Sequence, residues 1–535
     1  MALLMVPEFP DAPTGAYNAA VDLIERNLSS GRADKIAFID DAGTYTYGEL
    51  AERVDRCAGA LLALGLVPGD RVILGLLDSI DFPTCFLGAI KAGIVPVPIN
   101  TMFLAADYAY VLANSGAAAA IVSQPLFAAY KSAAQEAGWT GTFVVTNGTE
   151  TSITELSALR AAAAPVRRAA PTHAEDVCFW LYSSGSTGKP KGTLHRHASM
   201  IVTAELFARQ VLDLRESDVV YSAAKLFFAY GLGNGLSFPM AVGATAVLMA
   251  ERAKPDAVIA TLLKHNVTVF CGVPTLFSAL LAANVLPERG TLALRLCTSA
   301  GEALPLHVGQ TWRERTGVDI IDGIGSTEML HIFVSTRPGA VTYGVTGKPV
   351  PGYRVRLVDE SGAEVERGEL GELLVLGPSA FTQYWNAHER TMGAFDGEWV
   401  RTGDKFYETD GGDLVHCGRT DDMIKSGGIW VSPMEVESVI IGHEAVLDVA
   451  VIGVADDNEL VKPKAFVVLR DGVTGDAALV ETLQAYVKER LAPYKFPRWI
   501  DFVDELPKTA TGKTQRHILR RREADAKVAT SPQHV

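Results

Sequence analysis

Several things are scarce in these 535 residues, and each scarcity removes a class of function. Cysteine occurs six times, at 57, 85, 178, 271, 297 and 417, with no C-x-x-C pair and no His/Cys cluster at zinc-ligand spacing. A disulfide scaffold and a zinc site are therefore not expected, and buried thiols in a reducing cytoplasm are. Positive charge is in deficit: 48 Lys+Arg against 62 Asp+Glu leave a formal net charge of -14, which excludes the basic face that a nucleic-acid or anionic-membrane binder needs. Long apolar runs are missing as well. The longest uncharged segment, between Asp107 and Lys131, is interrupted by Asn114, Ser115, Ser123, Gln124 and Pro125, so it reads as helix, turn and strand and not as a membrane span. Met1 to Pro7 has neither a basic start nor a long apolar core, unlike a secretory signal. No unit of roughly 20–50 residues repeats, which excludes a solenoid or propeller.

What is present is an alternation of strands and helices. Thr46-Tyr47-Gly48-Glu49 is a capping-box pattern, followed by Leu50, Val54, Cys57 and Leu61 at helical spacing. Strands are expected at Asp70–Leu77, Val219–Ala223, Thr245–Met249, Val267–Val273, Leu294–Thr298 and Asp319–Ile324, with helices at Pro255–Lys264 and Pro274–Ala283 between some of them. That order predicts α/β sheets covered by helices. From about residue 340 to 420 short strands and turns (Asp359 to Gly362, Asp410 to Asp413) indicate a small β-rich, barrel-like subdomain. After Asp421 the order becomes helix (Pro433–Ile441), strand (Val446–Val454), strand (Pro463–Leu469), helix (Ala477–Leu491) and strand (Trp499–Val503). Residues 1–421 are thus expected to form a large N-terminal domain and 422–535 a small α+β C-terminal domain.

The stretch most loaded with chemistry is Tyr182-Ser183-Ser184-Gly185-Ser186-Thr187-Gly188-Lys189-Pro190-Lys191-Gly192, directly after the strand-like run Val177 to Leu181. Glycines let backbone N–H groups approach an anion, the hydroxyls of Ser183, Ser184, Ser186 and Thr187 add donors, and Lys189 and Lys191 add charge. The composition suits a nucleoside triphosphate. It is not the common kinase or ATPase loop, since serine stands at 183 where a glycine is required, and Pro190 resists immediate helix entry. A Ser/Gly linker is the bland alternative, and the clustered lysines argue against it.

Four further stretches come after it in order: Gly323-Ile324-Gly325-Ser326-Thr327-Glu328, Arg401-Thr402-Gly403-Asp404, Gly418-Arg419 through Lys425-Ser426-Gly427-Gly428, and Pro507-Lys508-Thr509-Ala510-Thr511-Gly512-Lys513. With the lysine-rich loop, this ordered set resembles the AMP-forming acyl-CoA synthetases of the adenylate-forming superfamily, over nearly the whole chain. The resemblance implies that ATP, Mg2+ and coenzyme A take part. A carboxylate would attack the α-phosphate to give an acyl-adenylate and pyrophosphate, and the thiol of coenzyme A would then displace AMP. It implies nucleotide contacts from the loop residues 183–189 and 191, from Ala300, Gly301 and Glu302, from Asp322, Gly323, Ile324, Ser326 and Thr327, and from Asp404 and Arg419. Catalytic parts fall to Lys513, Glu328 and Thr187, with Glu328 holding the metal, a hard oxygen ligand for a hard cation. Asp421 matches the hinge about which the C-terminal domain rotates between half-reactions, and Ser426, Gly427 and Gly428 match the wall of the pantetheine tunnel. Lys513 lies in a basic stretch, seven Lys/Arg against two acids from Lys508 to Lys527. Related lysines can be acetylated, so a lysine acetyltransferase is among the partners implied, and its action would remove the charge adenylation needs. A homodimer is compatible with the sequence, which also leaves oligomeric state open.

Within the superfamily, Phe227-Phe228-Ala229-Tyr230-Gly231 and the run from Asp322 to Phe333 look most like the benzoate-CoA ligases. The acyl site implied comprises Phe228, Ala229, Tyr230, Gly325, His331 and Ile332, apolar and aromatic, with no cation facing a ring substituent. Unsubstituted benzoate is the expected substrate, ahead of substituted benzoates or another short acyl carboxylate. For His331 two readings stand: a border of the aryl pocket, or a hydrogen-bonded histidine inside the fold. Ile324 stands where many relatives carry tyrosine, a departure that touches adenine stacking. A catalytically silent adenylate-binding scaffold would have no need of Lys513, Glu328, Asp404 and Arg419, and a peptide-synthetase module would be expected beside a carrier domain.

Overall fold

The computed structural model describes residues 13–148, 154–183, 189–426, 429–456, 460–492, 494–508 and 514–530. Its largest element is a nine-stranded sheet in the order Lys348–Pro349, Ile332–Ser335, Ile320–Gly325, Leu296–Ser299, Val269–Gly272, Val219–Ser222, Thr245–Val247, Ile36–Ile39, Thr44–Thr46. The strands from Ile320–Gly325 through Ile36–Ile39 run parallel, and the pairs at both ends are antiparallel. Parallel strands buried on both faces must be apolar throughout, and Val269–Gly272 and Leu296–Ser299 are buried at every position. The helices Pro255–Lys264 and Pro274–Ala282 begin where their prolines place them. The expected strands are all found, most of them trimmed by one or two residues at an end.

A second sheet is parallel throughout, ordered Val95–Pro98, Arg71–Gly75, Ala119–Ser123, Thr142–Thr146, Thr154–Glu155. The helix Tyr47–Ala63 packs on the helix Asp81–Lys91, which follows the strand Arg71–Gly75, and on Ile36–Ile39 and Thr44–Thr46 of the first sheet. Its capping box is complete, with the Glu49 N–H donating to Thr46 Oγ1 at 3.2 Å and the Thr46 N–H donating to Glu49 Oε2 at 2.8 Å. The segment 107–131 holds the expected helix, turn and strand and adds a further helix after them. Helix Ala105–Ser115 and strand Ala119–Ser123 are followed by a second helix, Gln124–Ala137, because Pro125 sits in its first turn, where a missing N–H costs nothing. Pro125 opens an element there instead of interrupting one.

The run from Val177 joins neither sheet: Val177–Ser183 and Lys191–Arg196 form their own antiparallel hairpin, with Ser183 opposite Lys191. Strands Arg354–Val358, Gly371–Leu376, Phe395–Asp396, Trp399–Glu408 and Leu414–Arg419 make the antiparallel β-rich part. Beyond it, helices Pro433–Ile440 and Ala477–Lys488 pack on the three-stranded sheet Val446–Ala455, Val461–Leu469, Trp499–Phe502 around an interior of their own that includes Ile424, Val436, Val451, Val467 and Leu483. The second of these helices stops at Lys488, short of Leu491. Asp421 lies exposed in the turn between Leu414–Arg419 and this second interior. Among the described residues, no helix is long and apolar enough to cross a membrane.

Candidate active site

The hairpin fixes the two ends of the lysine-rich loop. Residues 184–188, with Thr187 among them, lie outside the described residues, but Ser183 closes one strand and Lys191 opens the other. Along the second strand runs the segment 382–385, joined by Leu194 N–H to Gln383 O at 3.1 Å, Thr382 N–H to Leu194 O at 3.0 Å and Trp385 N–H to Gly192 O at 2.8 Å. This places Tyr384 beside Lys191. The Lys191 ammonium donates to the Tyr384 hydroxyl at 2.7 Å and lies 3.0 Å from Glu328 Oε1, and the same hydroxyl donates to that Oε1 at 2.7 Å. Burial pushes the Glu328 carboxyl up, but Lys191 and the Tyr384 hydroxyl outweigh it and hold the group below the usual glutamate range. Glu328 is therefore an ionised carboxylate, with its side chain only 15% exposed. Lys189, exposed, rests its ammonium 5.3 Å from the centre of the Tyr110 ring.

Glu328 follows the strand Ile320–Gly325 through a turn in which Met329 N–H donates to Ser326 Oγ and Leu330 N–H to Thr327 O. Leu330 takes φ 64°, a left-handed conformation that a bulky residue adopts only under constraint. The twist lets the chain present Glu328 on one side and His331 on the other within three residues. At the end of the strand a Cβ on Gly325 would stand 2.5 Å from the carbonyl oxygen of His331, so only glycine fits that close approach. Asp322, on the same strand, is buried with Oδ1 unpartnered, and burial pushes its carboxyl well above the usual range. Gly323 and Ile324 continue that strand, and Ala300, Gly301 and Glu302 follow the end of the neighbouring strand Leu296–Ser299, with Gly301 at φ 97°.

Asp404 and Arg419 stand opposite one another on paired strands, and the Arg419 guanidinium donates to Asp404 Oδ1 at 3.3 Å and to Thr402 O at 2.9 Å. Gly403, at φ 71°, leaves the guanidinium room: a Cβ there would stand 2.8 Å from it.

On the aryl side, Phe228 caps the short helix Ala229–Leu232, and its ring centre lies 4.4 Å from that of Phe227. The Tyr230 hydroxyl meets Thr298 Oγ1 at 2.5 Å. Next comes the π-helical turn Gly233–Ser237, in which a Cβ on Gly233 would stand 2.5 Å from the His331 ring. That ring is nested among Phe207, Tyr230 and Phe238 at centroid distances of 5.2, 5.5 and 4.4 Å. Burial pushes His331 down to about 3, against the opposing pull of the Tyr230 backbone. His331 is thus a neutral interior ring beside Tyr230. Ile332 is buried at the start of the adjacent strand.

Tyr384, Phe207 and Phe238 escaped the reading from sequence, since uncharged aromatics without a motif cannot be told from core residues; only the chain path along the hairpin brings Tyr384 to Glu328. Gly427 and Gly428 lie outside the described residues, between the paired strands Ile424–Ser426 and Ile429–Val431 in the chain. Lys513 lies outside them too; the described residues on either side are joined by a Lys508–Thr514 bridge and a 2.8 Å bond from Gln515 N–H to Pro507 O.

Residues 24–385 match the AMP-binding enzyme family, and residues 435–513 match the AMP-binding enzyme C-terminal domain. A benzoate–CoA ligase of Thauera aromatica is 58% identical over 506 residues, 94% of this chain and 96% of its own. A 4-hydroxybenzoate–CoA/benzoate–CoA ligase of Rhodopseudomonas palustris is 46% identical over 95% of this chain and 94% of its own. Among solved structures, a benzoate CoA ligase from Burkholderia xenovorans LB400 superposes with a TM-score of 0.89 at 51% identity, covering 94% of this chain and all of its own. An anthranilate CoA ligase in complex with anthranoyl-AMP gives 0.92 at 42% identity, over 96% of this chain and 98% of its own.

Proposed function

The chain belongs to the AMP-binding enzyme family, and from that premise we infer that it joins benzoate to coenzyme A at the expense of ATP. Benzoate and ATP give benzoyl-adenylate and pyrophosphate; coenzyme A then gives benzoyl-CoA and AMP. The observation that carries this reading is 58% identity along almost the full length of a benzoate–CoA ligase. It is joined to a site in which an ionised carboxylate, a lysine and a tyrosine converge at the phosphate loop.

The chain's own residues do little covalent chemistry here and much positioning. The loop residues, with Lys189 and Lys191, hold the triphosphate. Lys189 leaves the Tyr110 face to do so. Asp404, buried and presented by its strand, accepts from the ribose hydroxyls, and Arg419 supplies a donor nearby. The unpartnered Oδ1 of Asp322 suits a polar group of the base. Glu328 fits Mg2+: it is a single hard oxygen donor, kept ionised by Lys191 and Tyr384 and set beside the phosphate loop. Bound there, Mg2+ would neutralise charge on the phosphates that leave as pyrophosphate. Phe228, Ala229, Tyr230, Gly325, His331 and Ile332 bind the flat ring, and the neutral His331 adds no charge to repel or attract a ring substituent. Lys513 reaches the carboxylate and the α-phosphate as charge builds between them. For the second half-reaction the C-terminal domain turns about Asp421 and presents Ser426, Gly427 and Gly428 to the pantetheine arm. A cytoplasmic setting suits the six buried free thiols.

Pyrophosphate release with a panel of aromatic and aliphatic carboxylates, with and without coenzyme A, tests the reading. Benzoate is expected to be preferred, and a preference for medium-chain fatty acids would overturn the aryl assignment.

A further inference from the structure

The segment that delivers Phe228, Ala229 and Tyr230 is a loop, residues 223–228, between the strand Val219–Ser222 and the helix Ala229–Leu232. A loop that shapes a binding wall has to be held from outside itself. Three fastenings are local: Ser222 Oγ donates to Ala224 O at 2.9 Å, the Lys225 ammonium donates to Met249 O and, at 2.7 Å, to Glu251 O, and Gly231 packs so tightly that a Cβ would stand 2.0 Å from Lys225 O. A fourth crosses between sheets. Asp78, just past the strand Arg71–Gly75 of the five-stranded sheet, accepts the Leu226 N–H on Oδ1 at 3.2 Å, across 148 residues of chain.

Asp78 is an odd group to find there. It is 4% exposed, and burial pushes its carboxyl up to about 6 against the opposing pull of Lys225 and the Leu226 N–H. A carboxylate kept in such a place costs stability, and an apolar side chain would avoid that cost. None of the phosphate, ribose or metal contacts uses it. What it touches leads to the aryl wall. Leu226, 1% exposed, is followed by Phe227 and Phe228 and packs against Gly235, where a Cβ would stand 2.9 Å from Leu226 Cδ2. Gly235 lies in the π-helical turn whose Gly233 abuts His331.

We propose that Asp78 is a positioning residue for the aromatic carboxylate, locking the 223–228 loop to the neighbouring sheet so that Phe228 and Tyr230 face the ring in one arrangement. The proposal rests on the reading of the site as an aryl-carboxylate ligase. Its effect is confined to one substrate, because the ATP contacts come from other elements.

The test is steady-state kinetics of Asp78→Ala, Asp78→Asn and Lys225→Met in the full chain, with KM measured separately for benzoate, ATP and coenzyme A and the thermal midpoint of each variant recorded. Asp78→Ala is expected to raise the benzoate KM about tenfold and to move the other two less than about twofold. Asp78→Asn, whose amide oxygen still accepts from Leu226, is expected to stay within about threefold of the parent. A uniform rise in all three constants, no rise for benzoate, or an asparagine variant as impaired as the alanine one would each overturn the proposal. Should Asp78→Ala fail to fold, Lys225→Met decides: it loosens the same loop, and an unchanged benzoate KM refutes the lock. Turnover of benzoate by the parent protein checks the functional reading by itself; if another aromatic carboxylate is preferred, that acid becomes the probe and the lock is judged on its KM.

Discussion

The two walls of the site are built on opposite electrostatic plans. On the proposed nucleotide side two acids are charged and already partnered, Glu328 with Lys191 and Tyr384 and Asp404 with Arg419, while Asp322 is buried with Oδ1 unpartnered. On the proposed aryl side they are uncharged and buried, as with His331 inside its ring of aromatics. The difference stems from the ligand each wall receives. A polyphosphate brings charge that must be met at once and released later, so exchangeable ion pairs at partial exposure serve it. A benzene ring brings only shape, so the wall must be rigid, and rigidity comes from close approaches that exclude a Cβ, as at Gly233 and Gly325.

The contrast can be broken at several points, the strongest first. Lys513→Ala should cost adenylation about a thousandfold while sparing thioester formation from supplied benzoyl-adenylate, since one charge serves only the first half-reaction. Pyrophosphate release and benzoyl-CoA formation, assayed separately, would reveal an equal loss of both, which contradicts the alternation of domains. Glu328→Gln should lower adenylation about a hundredfold, and Tyr384→Phe about tenfold with a higher Mg2+ requirement, because the hydroxyl helps keep the carboxylate ionised. A magnesium titration of both variants separates loss of the ligand from loss of its support.

On the other wall, His331→Ala should raise the benzoate KM about tenfold and leave that for ATP nearly unchanged, while admitting bulkier rings into the space vacated. A panel of para-substituted benzoates reads this directly. The effect furthest from catalysis concerns acid stability. His331 and His195 are pushed down from the usual 6.5 to about 3, and His197 to about 4, in each case mainly by burial. Unfolded, these rings take up protons below about pH 6.5, so the fold loses stability as pH falls from there toward 4, by up to about 1.4 kcal/mol per pH unit for each histidine. His331→Gln should make that slope shallower by one proton; denaturant melts between pH 6.5 and 4 check it, and an unchanged slope would mean the ring titrates normally in the fold.

Much of the fold was legible because its signals are local. The capping box at Thr46 and Glu49, the prolines opening the helices at 255 and 274, and apolar runs of strand length each act within a few residues, and each element appears where expected. The helix that Pro125 opens was not foreseen for the same local reason: a proline marks a boundary, and whether a helix follows depends on the residues after it. The lysine-rich loop stands out in the sequence because glycines with hydroxyls and lysines are an unusual composition. The aryl wall was legible only in part, since Phe207 and Phe238 differ in nothing local from any core phenylalanine.

The sequence by itself determined the chemistry on offer: a loop of glycines, hydroxyls and lysines, the acids Glu328 and Asp404 and a lysine preceded by glycine near the C-terminus, set in an α/β chain with an excess of negative charge. Tertiary structure alone decided which of those groups meet. Tyr384 reaches Glu328 because segment 382–385 lies along the hairpin, and Asp78 reaches Leu226 because two sheets abut. Both are hydrogen bonds between residues far apart in the chain, and a hydrogen bond is specified by distance and angle in space, which composition and spacing do not encode.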